Sequence, residues 1–204
     1  MIISRSFRAT RLSIISLALA LVAGCAPATP PGTLPDSRTE TTVYLVRHAE
    51  KAAVKEANSD VDLSTAGYAR ADSLAAQLRE ADIDVVITTQ LRRTRLTGGP
   101  IAGLRRITPI TVSVGSSVQA HAESVAVAVK RHPGSRILVV GHSNTVGPII
   151  AALGGTDVGD LCDNEYSNLF ILTLAPPSPS RLHTGSFGAR DAPGNGTCVP
   201  VRSR

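Results

Sequence analysis

Two short apolar runs in this chain each end in a histidine, and a third ends in a cluster of arginines. The first run, Thr42 to Val46, lies within Thr41-Thr42-Val43-Tyr44-Leu45-Val46-Arg47-His48-Ala49-Glu50-Lys51 and stops abruptly at Arg47-His48. The second, Arg136 to Val140, runs into Gly141-His142-Ser143-Asn144-Thr145. The third, Val85 to Ile87, precedes Thr89-Gln90-Leu91-Arg92-Arg93-Thr94-Arg95-Leu96-Thr97. Apolar runs of this length between polar residues read as buried strands. In open α/β sheets, ligands bind at the carboxyl ends of such strands. If the strands are neighbours in a parallel sheet, His48 and His142 face each other across one pocket, and the arginines join the same edge.

Two imidazoles and two arginines at one rim suit phosphoryl chemistry. A phosphomonoester is dianionic and resists a nucleophile. Two guanidinium groups neutralise it and fix the in-line angle through bidentate bonds. A neutral imidazole can then attack phosphorus and form a covalent phosphohistidine. A second, protonated imidazole can bind the equatorial oxygens as charge develops. This chemistry needs no metal or other cofactor, and His48, His142, Glu50 and Asp163 show no recognisable ligand spacing. Arg93 is the arginine of choice over Arg92 and Arg95, because it stands four residues after Thr89 and four before Thr97. Ser64 and Ser143 have no adjacent base apart from His142, so a serine hydrolase is disfavoured. Gly141 and Gly154-Gly155 are not followed by Gly-Lys-Ser/Thr and make no phosphate loop. His121, His132 and His183 lie outside the motifs and are expected at the surface.

The elements that must position these groups alternate along the chain. After the first strand, Ser64 or Thr65 caps a helix over Tyr68 to Ala81, with Ala69, Ala71, Leu74, Ala75 and Leu78 as its apolar stripe. Ile83 to Thr88 is a strand. Thr94 to Leu104 is a helix that Gly98-Gly99-Pro100 should interrupt. Ile107 to Val114 is a strand weakened by Pro109. Val118 to Arg131 is a helix stopped by His132-Pro133-Gly134. A helix from Thr145 to Leu153 follows the Arg136–Val140 strand, and Leu169 to Leu174 is the last buried strand. Residues 176–204 are rich in Pro, Ser and Gly and are expected to be an irregular tail. Alternating strands and helices argue an α/β three-layer sandwich with a mostly parallel central sheet.

The N-terminus reads as an address. Arg5, Arg8 and Arg11 precede an apolar stretch from Leu12 to Val22, which is too short for a good membrane span. It ends in Leu21-Val22-Ala23-Gly24-Cys25, small residues before a cysteine, which resembles the bacterial lipobox. Residues 1–24 are therefore expected to be a lipoprotein signal peptide and Cys25 the lipidated first residue. The proline-rich residues 25–40 then form a tether. Ala26 rather than Asp after the cysteine favours the outer membrane, at its periplasmic face. With Cys25 so used, Cys162 and Cys198 remain as an even pair, for which an oxidising compartment makes a bridge plausible. The formal charge of +5 comes mostly from residues 1–24, which hold three arginines and no acid. The remainder is nearly balanced and Trp is absent, so no nucleic-acid partner is expected. The oligomeric state is not legible.

The motifs together resemble the histidine phosphatase superfamily, which includes phosphoglycerate mutases and acid phosphatases. The resemblance rests on Leu45-Val46-Arg47-His48, Thr89-x-Leu91-x-Arg93-x-x-x-Thr97, Val140-Gly141-His142-Ser143 and Asp62-Leu63-Ser64-x-x-Gly67, and covers residues 41–175. It implies a phosphoglycerate mutase-like fold. It also implies His48 as the phosphorylated nucleophile, with Arg47, Arg93 and His142 completing the phosphate pocket. Many members carry Gly after the Arg-His pair, where this chain has Ala49. The family's usual carboxyl proton donor has no clear counterpart; Glu123 is the first candidate and Glu50 the second. The expected activity is hydrolysis of small-molecule or protein phosphomonoesters by a lipid-anchored envelope enzyme. The alternatives are a non-catalytic envelope module binding phosphorylated or anionic ligands and, among enzymes, a phosphoglycerate mutase. Little chain between His48, Arg93 and His142 is left over for a cap, which favours hydrolysis over phosphoryl return to a bound product.

Overall fold

The computed structural model describes residues 39–53, 60–194, 198, 199 and 201. The signal segment, Cys25 and most of the 25–40 tether lie outside the described residues. Among the described residues no helix is long and apolar enough to cross a membrane.

Six strands form one sheet in the order β3-β2-β4-β1-β5-β6. They are β1 Thr41–Arg47, β2 Val85–Thr88, β3 Ile110–Thr111, β4 Arg136–Gly141, β5 Asn168–Ala175 and β6 Ser178–Ser186. The first four run parallel, whereas β5 and β6 are antiparallel to their neighbours. Among the described residues there are four α-helices, α1 Thr65–Gln77, α2 Arg92–Arg105, α3 Val118–Lys130 and α4 Val146–Ala152, and a short 3-10 turn at Arg79–Ala81.

The helices cover both faces, and strand residues alternate between them. Val43 and Leu45 of β1, Ile87 of β2 and Ile137 and Val139 of β4 pack with Val125 and Val129 of α3 and Ile149 and Ile150 of α4. Val46, Val86, Leu138 and Val140 pack on the opposite face with Leu74 of α1 and Ile101 of α2. Burial on both faces is why these strands read as continuous apolar runs instead of alternating ones. The result is the expected three-layer α/β architecture.

Local signals account for most helix starts. The Ser64 hydroxyl accepts from Gly67 N (3.1 Å) and caps α1; Ser117 accepts from Ala120 N (3.1 Å) and caps α3. Each such cap is worth about 1 kcal/mol. Gly67 also lets α1 approach the active loop, since a Cβ there would stand 2.2 Å from the Glu50 carbonyl oxygen.

The structure corrects the sequence reading in four places. The α2 helix runs unbroken through Gly98-Gly99-Pro100. Gly98 brings the helix close to Val86, and buried Ile101 and Ala102 hold the second half down, so tertiary packing outweighs poor propensity. The third strand shrinks to Ile110–Thr111 at the sheet edge. The tail is not irregular throughout, because Ser178–Ser186 pairs along β5 as β6. Without it β5 would present an open edge, and Pro179 is tolerated because β6 is itself the edge strand. His121 is buried rather than exposed, with Nδ1–H donating to the Ser113 carbonyl at 3.1 Å.

Candidate active site

Adjacent strands β1 and β4 send the chain to opposite faces of the sheet. The connection after β1 leads to α1 on one face, and that after β4 leads to α4 on the other. Such divergence opens a crevice at the carboxyl ends. The register pairs Arg47 with Gly141, and His48 N donates to the Gly141 carbonyl at 2.9 Å. His48 and His142 are thereby brought across one crevice, with ring centroids 5.3 Å apart and planes 62° apart. A cleft of about 290 Å³ opens there, lined by both histidines, Arg47 and Arg93. Its floor is buried, whereas Lys51, Val114, Asn144 and Asp163 at its margin are exposed.

Each reacting side chain is held by a specific neighbour. His48 Nδ1–H donates to the Ala49 carbonyl at 2.8 Å, which leaves the Nε2 lone pair free for attack. Ala49 N donates in turn to Thr97 Oγ1 at 2.9 Å, so the last residue of the arginine motif fastens the histidine loop to α2. His142 Nε2 meets Thr89 Oγ1 at 3.3 Å, and His142 N donates to Thr145 Oγ1 at 2.8 Å. Thr89 is itself tied to Thr94 by a hydroxyl contact of 2.9 Å. The threonines of the Thr89–Thr97 motif are therefore the scaffold between its arginine and the two histidines.

Arg47 is gripped from the far side. Its Nη1 donates to the carbonyls of Cys162 (2.8 Å), Asp163 (3.1 Å) and Glu165 (3.1 Å). Its guanidinium carbon lies 4.2 Å from the centroid of the Tyr166 ring, a cation–π distance. Among the arginines of the motif, Arg92 is exposed and paired with Asp62, Arg95 is exposed, and Arg93 alone lines the cleft.

Three buried nitrogens at this site have no partner among the described residues: Arg47 Nε, Arg93 Nε and His142 Nδ1. An unmade bond on a buried polar group costs about 1–3 kcal/mol. Three such groups beside one cleft are spare hydrogen-bonding capacity for a ligand, and an oxyanion suits the two guanidinium donors. Charge agrees with this. Burial lowers the His48 pKa from 6.5 to about 3; the bond to the Ala49 carbonyl opposes this in part, and repulsion from His142, Arg47 and Arg93 adds smaller contributions to the lowering. Burial likewise lowers His142 to about 4, aided by Arg93, His121, Arg47 and Lys51. Both imidazoles are therefore neutral near pH 7, and His48 is ready as a nucleophile. A bound dianion would oppose the cationic repulsion at His142 and favour its protonated form.

The two carboxylates proposed from sequence as proton donors are placed elsewhere. Glu123 is exposed on α3, accepts from Gln119 Nε2 at 3.0 Å and lines a separate depression. Its place after the helix start turns it away from the cleft. Glu50 is taken up by buried Arg70, whose Nη2 donates to it at 2.7 Å. Among the described lining residues the only carboxylate is Asp163, at the exposed margin. Sequence reasoning missed Tyr166 and the 162–165 carbonyls, since no motif links them to a residue more than a hundred positions away. It also missed Lys51 at the margin, for which the signal was its charge three positions after His48. Among the described residues no cluster of three or more His, Cys, Asp or Glu is placed to hold a metal.

Residues 43–115 match the model of the histidine phosphatase superfamily (branch 1). That segment carries Arg47, His48 and Arg93, and the match supports a phosphatase. Solved structures share the fold. The SixA protein of Agrobacterium tumefaciens is 23% identical, over 74% of this chain and 99% of its own, with a TM-score of 0.51. A protein histidine phosphatase SixA complexed with tungstate is 18% identical, over 71% and 96%, with a TM-score of 0.55. A mycobacterial glucosyl-3-phosphoglycerate phosphatase is 13% identical, over 74% and 100%, with a TM-score of 0.56. Among curated proteins, none matches the chain by sequence.

Proposed function

We propose, from the chain's resemblance to the histidine phosphatase superfamily, that it is a metal-independent phosphohydrolase working through phosphohistidine at His48. The observation that carries this reading is the set of unpartnered nitrogens, Arg47 Nε, Arg93 Nε and His142 Nδ1, around the neutral His48. In the first step the His48 Nε2 lone pair bonds to phosphorus as the ester P–O bond breaks, and the oxygen leaves with the bonding pair. In the second, water attacks phosphorus, the P–N pair returns to His48 and phosphate is released. The net reaction consumes one water and yields an alcohol and inorganic phosphate. Arg47, Arg93 and protonated His142 hold the equatorial oxygens while charge shifts.

The position of the carboxylates narrows the substrate. With Glu123 and Glu50 directed elsewhere, and Asp163 at the exposed margin as the one carboxylate among the described lining residues, the site favours a group that leaves well on its own or carries its own proton. Aryl phosphates meet the first condition. A phosphorylated histidine side chain meets the second, and the likeness in fold to a protein histidine phosphatase makes such a peptide a natural trial substrate. That no described residue places a carboxylic acid at the cleft floor is also the observation that favours the alternative, a module that binds phosphorylated ligands without turnover. The site of action we propose, from the sequence of residues 1–40, is the envelope, with the chain anchored by a lipid on Cys25 and facing the periplasm from the outer membrane. The test is hydrolysis of phenyl phosphate by the full-length chain in detergent with chelator present. The expected result is phosphate release that His48→Ala abolishes. Phosphate binding without release would support the binding module.

A further inference from the structure

The loop that grips Arg47 is itself held by the C-terminal segment at three points. Cys198 is joined to Cys162 by a disulfide, with Cα atoms 5.8 Å apart. Val201 N donates at 2.9 Å to the buried carboxylate of Glu165, which also accepts from Cys162 N at 2.8 Å and Asn168 Nδ2 at 3.0 Å. Asp191 accepts from Tyr166 N (3.0 Å), Ser167 N (2.9 Å) and Ser167 Oγ (2.7 Å). The residues so fastened are those that touch Arg47: the carbonyls of Cys162, Asp163 and Glu165, and the ring of Tyr166. Among the described residues, none of the tail segment lines the cleft.

We propose that this segment, locked by the Cys162–Cys198 bridge, is a positioning strap for Arg47, so that the affinity of the site for phosphate depends on oxidation of the two thiols. The proposal rests on the reading of Arg47 as a phosphate ligand. Three carbonyls on one nitrogen fix the guanidinium plane of a residue that lines the cleft and leave its Nε without a partner among the described residues. A preorganised donor loses less freedom on binding than a mobile one. Closure of the bridge is a thiol–disulfide exchange. Two thiols lose two protons and two electrons, and a disulfide oxidant takes up both and becomes a dithiol. A chain held in a reducing compartment would therefore carry its reacting groups with a loosened Arg47, and would gain full phosphate affinity on reaching an oxidising one.

The experiment is calorimetric binding of inorganic phosphate to the full-length chain in detergent, oxidised, after dithiothreitol, and as Cys162→Ser/Cys198→Ser. Circular dichroism reports folding in each. The expected result is a loss of affinity of about tenfold on opening the bridge, in folded protein, as for one impaired charge-assisted bond. The same loss should appear in an Arg93→Ala background and vanish in Arg47→Ala. If the opened protein unfolds, Asp191→Ala decides, since it keeps the bridge and removes the acceptor of Tyr166 N, Ser167 N and Ser167 Oγ, together with the 3.8 Å contact to Arg70. It should weaken phosphate binding severalfold, again not in Arg47→Ala. Unchanged affinity in folded, opened protein, or an equal loss without Arg47, would overturn the strap. A chain that binds phosphate in this redox-dependent way yet hydrolyses nothing supports the strap and overturns the phosphatase.

Discussion

On the parallel side of the sheet, Arg47 Nε, Arg93 Nε and His142 Nδ1 are buried without partners among the described residues. On the antiparallel side, in the loop before β5 and the tail behind it, the buried polar groups are bonded. Glu165 accepts three bonds, Asp191 three, and the loop carbonyls receive Arg47. Both regions meet on one guanidinium, whose Nη1 is consumed by framework while its Nε is left spare. The contrast separates two uses of buried polarity. Satisfied groups fix geometry, and unsatisfied ones mark where a ligand completes the structure.

The contrast predicts opposite costs for substitutions on the two sides. Arg93→Met removes a spare donor while keeping the bulk of the stem. It should lower kcat/KM by about 10²–10³ and leave the unfolding free energy unreduced. Equal losses of activity and stability would mean that Arg93 is framework. Glu165→Ala does the reverse, leaving the N–H groups of Cys162 and Val201 unpaired. Denaturant titration should show a loss of about 2 kcal/mol. No loss would mean that the paired side is not what holds the loop.

Acid should expose the unpaired side first. His48 and His142 have folded pKa values lowered to about 3 and about 4 from 6.5. Their neutral forms are favoured on folding, so between pH 6.5 and about 3 the unfolded chain takes up protons that the folded chain refuses. Stability from these groups is therefore intact above 6.5 and falls as pH drops through that window. Denaturation series at pH 7 and 4.5 should show a shallower acid loss in His48→Asn/His142→Asn than in wild type. An identical slope would mean the histidines titrate normally. The smallest effect is expected at Glu123. Glu123→Gln should change turnover by less than about twofold, as for a surface residue away from the site. A large drop would place this carboxylate in the reaction despite its position on α3.

What was legible in the sequence follows the same division. The parallel side could be read because each reacting group stands directly after an apolar run, so strand recognition alone places Arg47, His48 and His142 at one edge. Arg93 could be picked out because the threonines flanking it are spaced to bond the loop it sits on. The antiparallel side could not be read. Its residues act through backbone carbonyls, which carry no signature of type, and across more than a hundred positions. The Ser/Pro composition of 178–186 conceals a strand whose stability comes from pairing with β5, not from propensity. Glu123 misled because position along the chain between Arg93 and His142 says nothing about which way a helix turns its carboxylate. The burial of His121 was hidden for the same reason.

The central claim is that His48 becomes covalently phosphorylated. Rapid acid-free quenching of the full-length chain during turnover of phenyl phosphate, followed by peptide mapping under alkaline conditions, tests it directly. The account predicts an added phosphoryl group on His48, stable to base and lost in acid, and absent from His48→Ala. Phosphate release with no label on His48, or with label on a serine or aspartate, would contradict it.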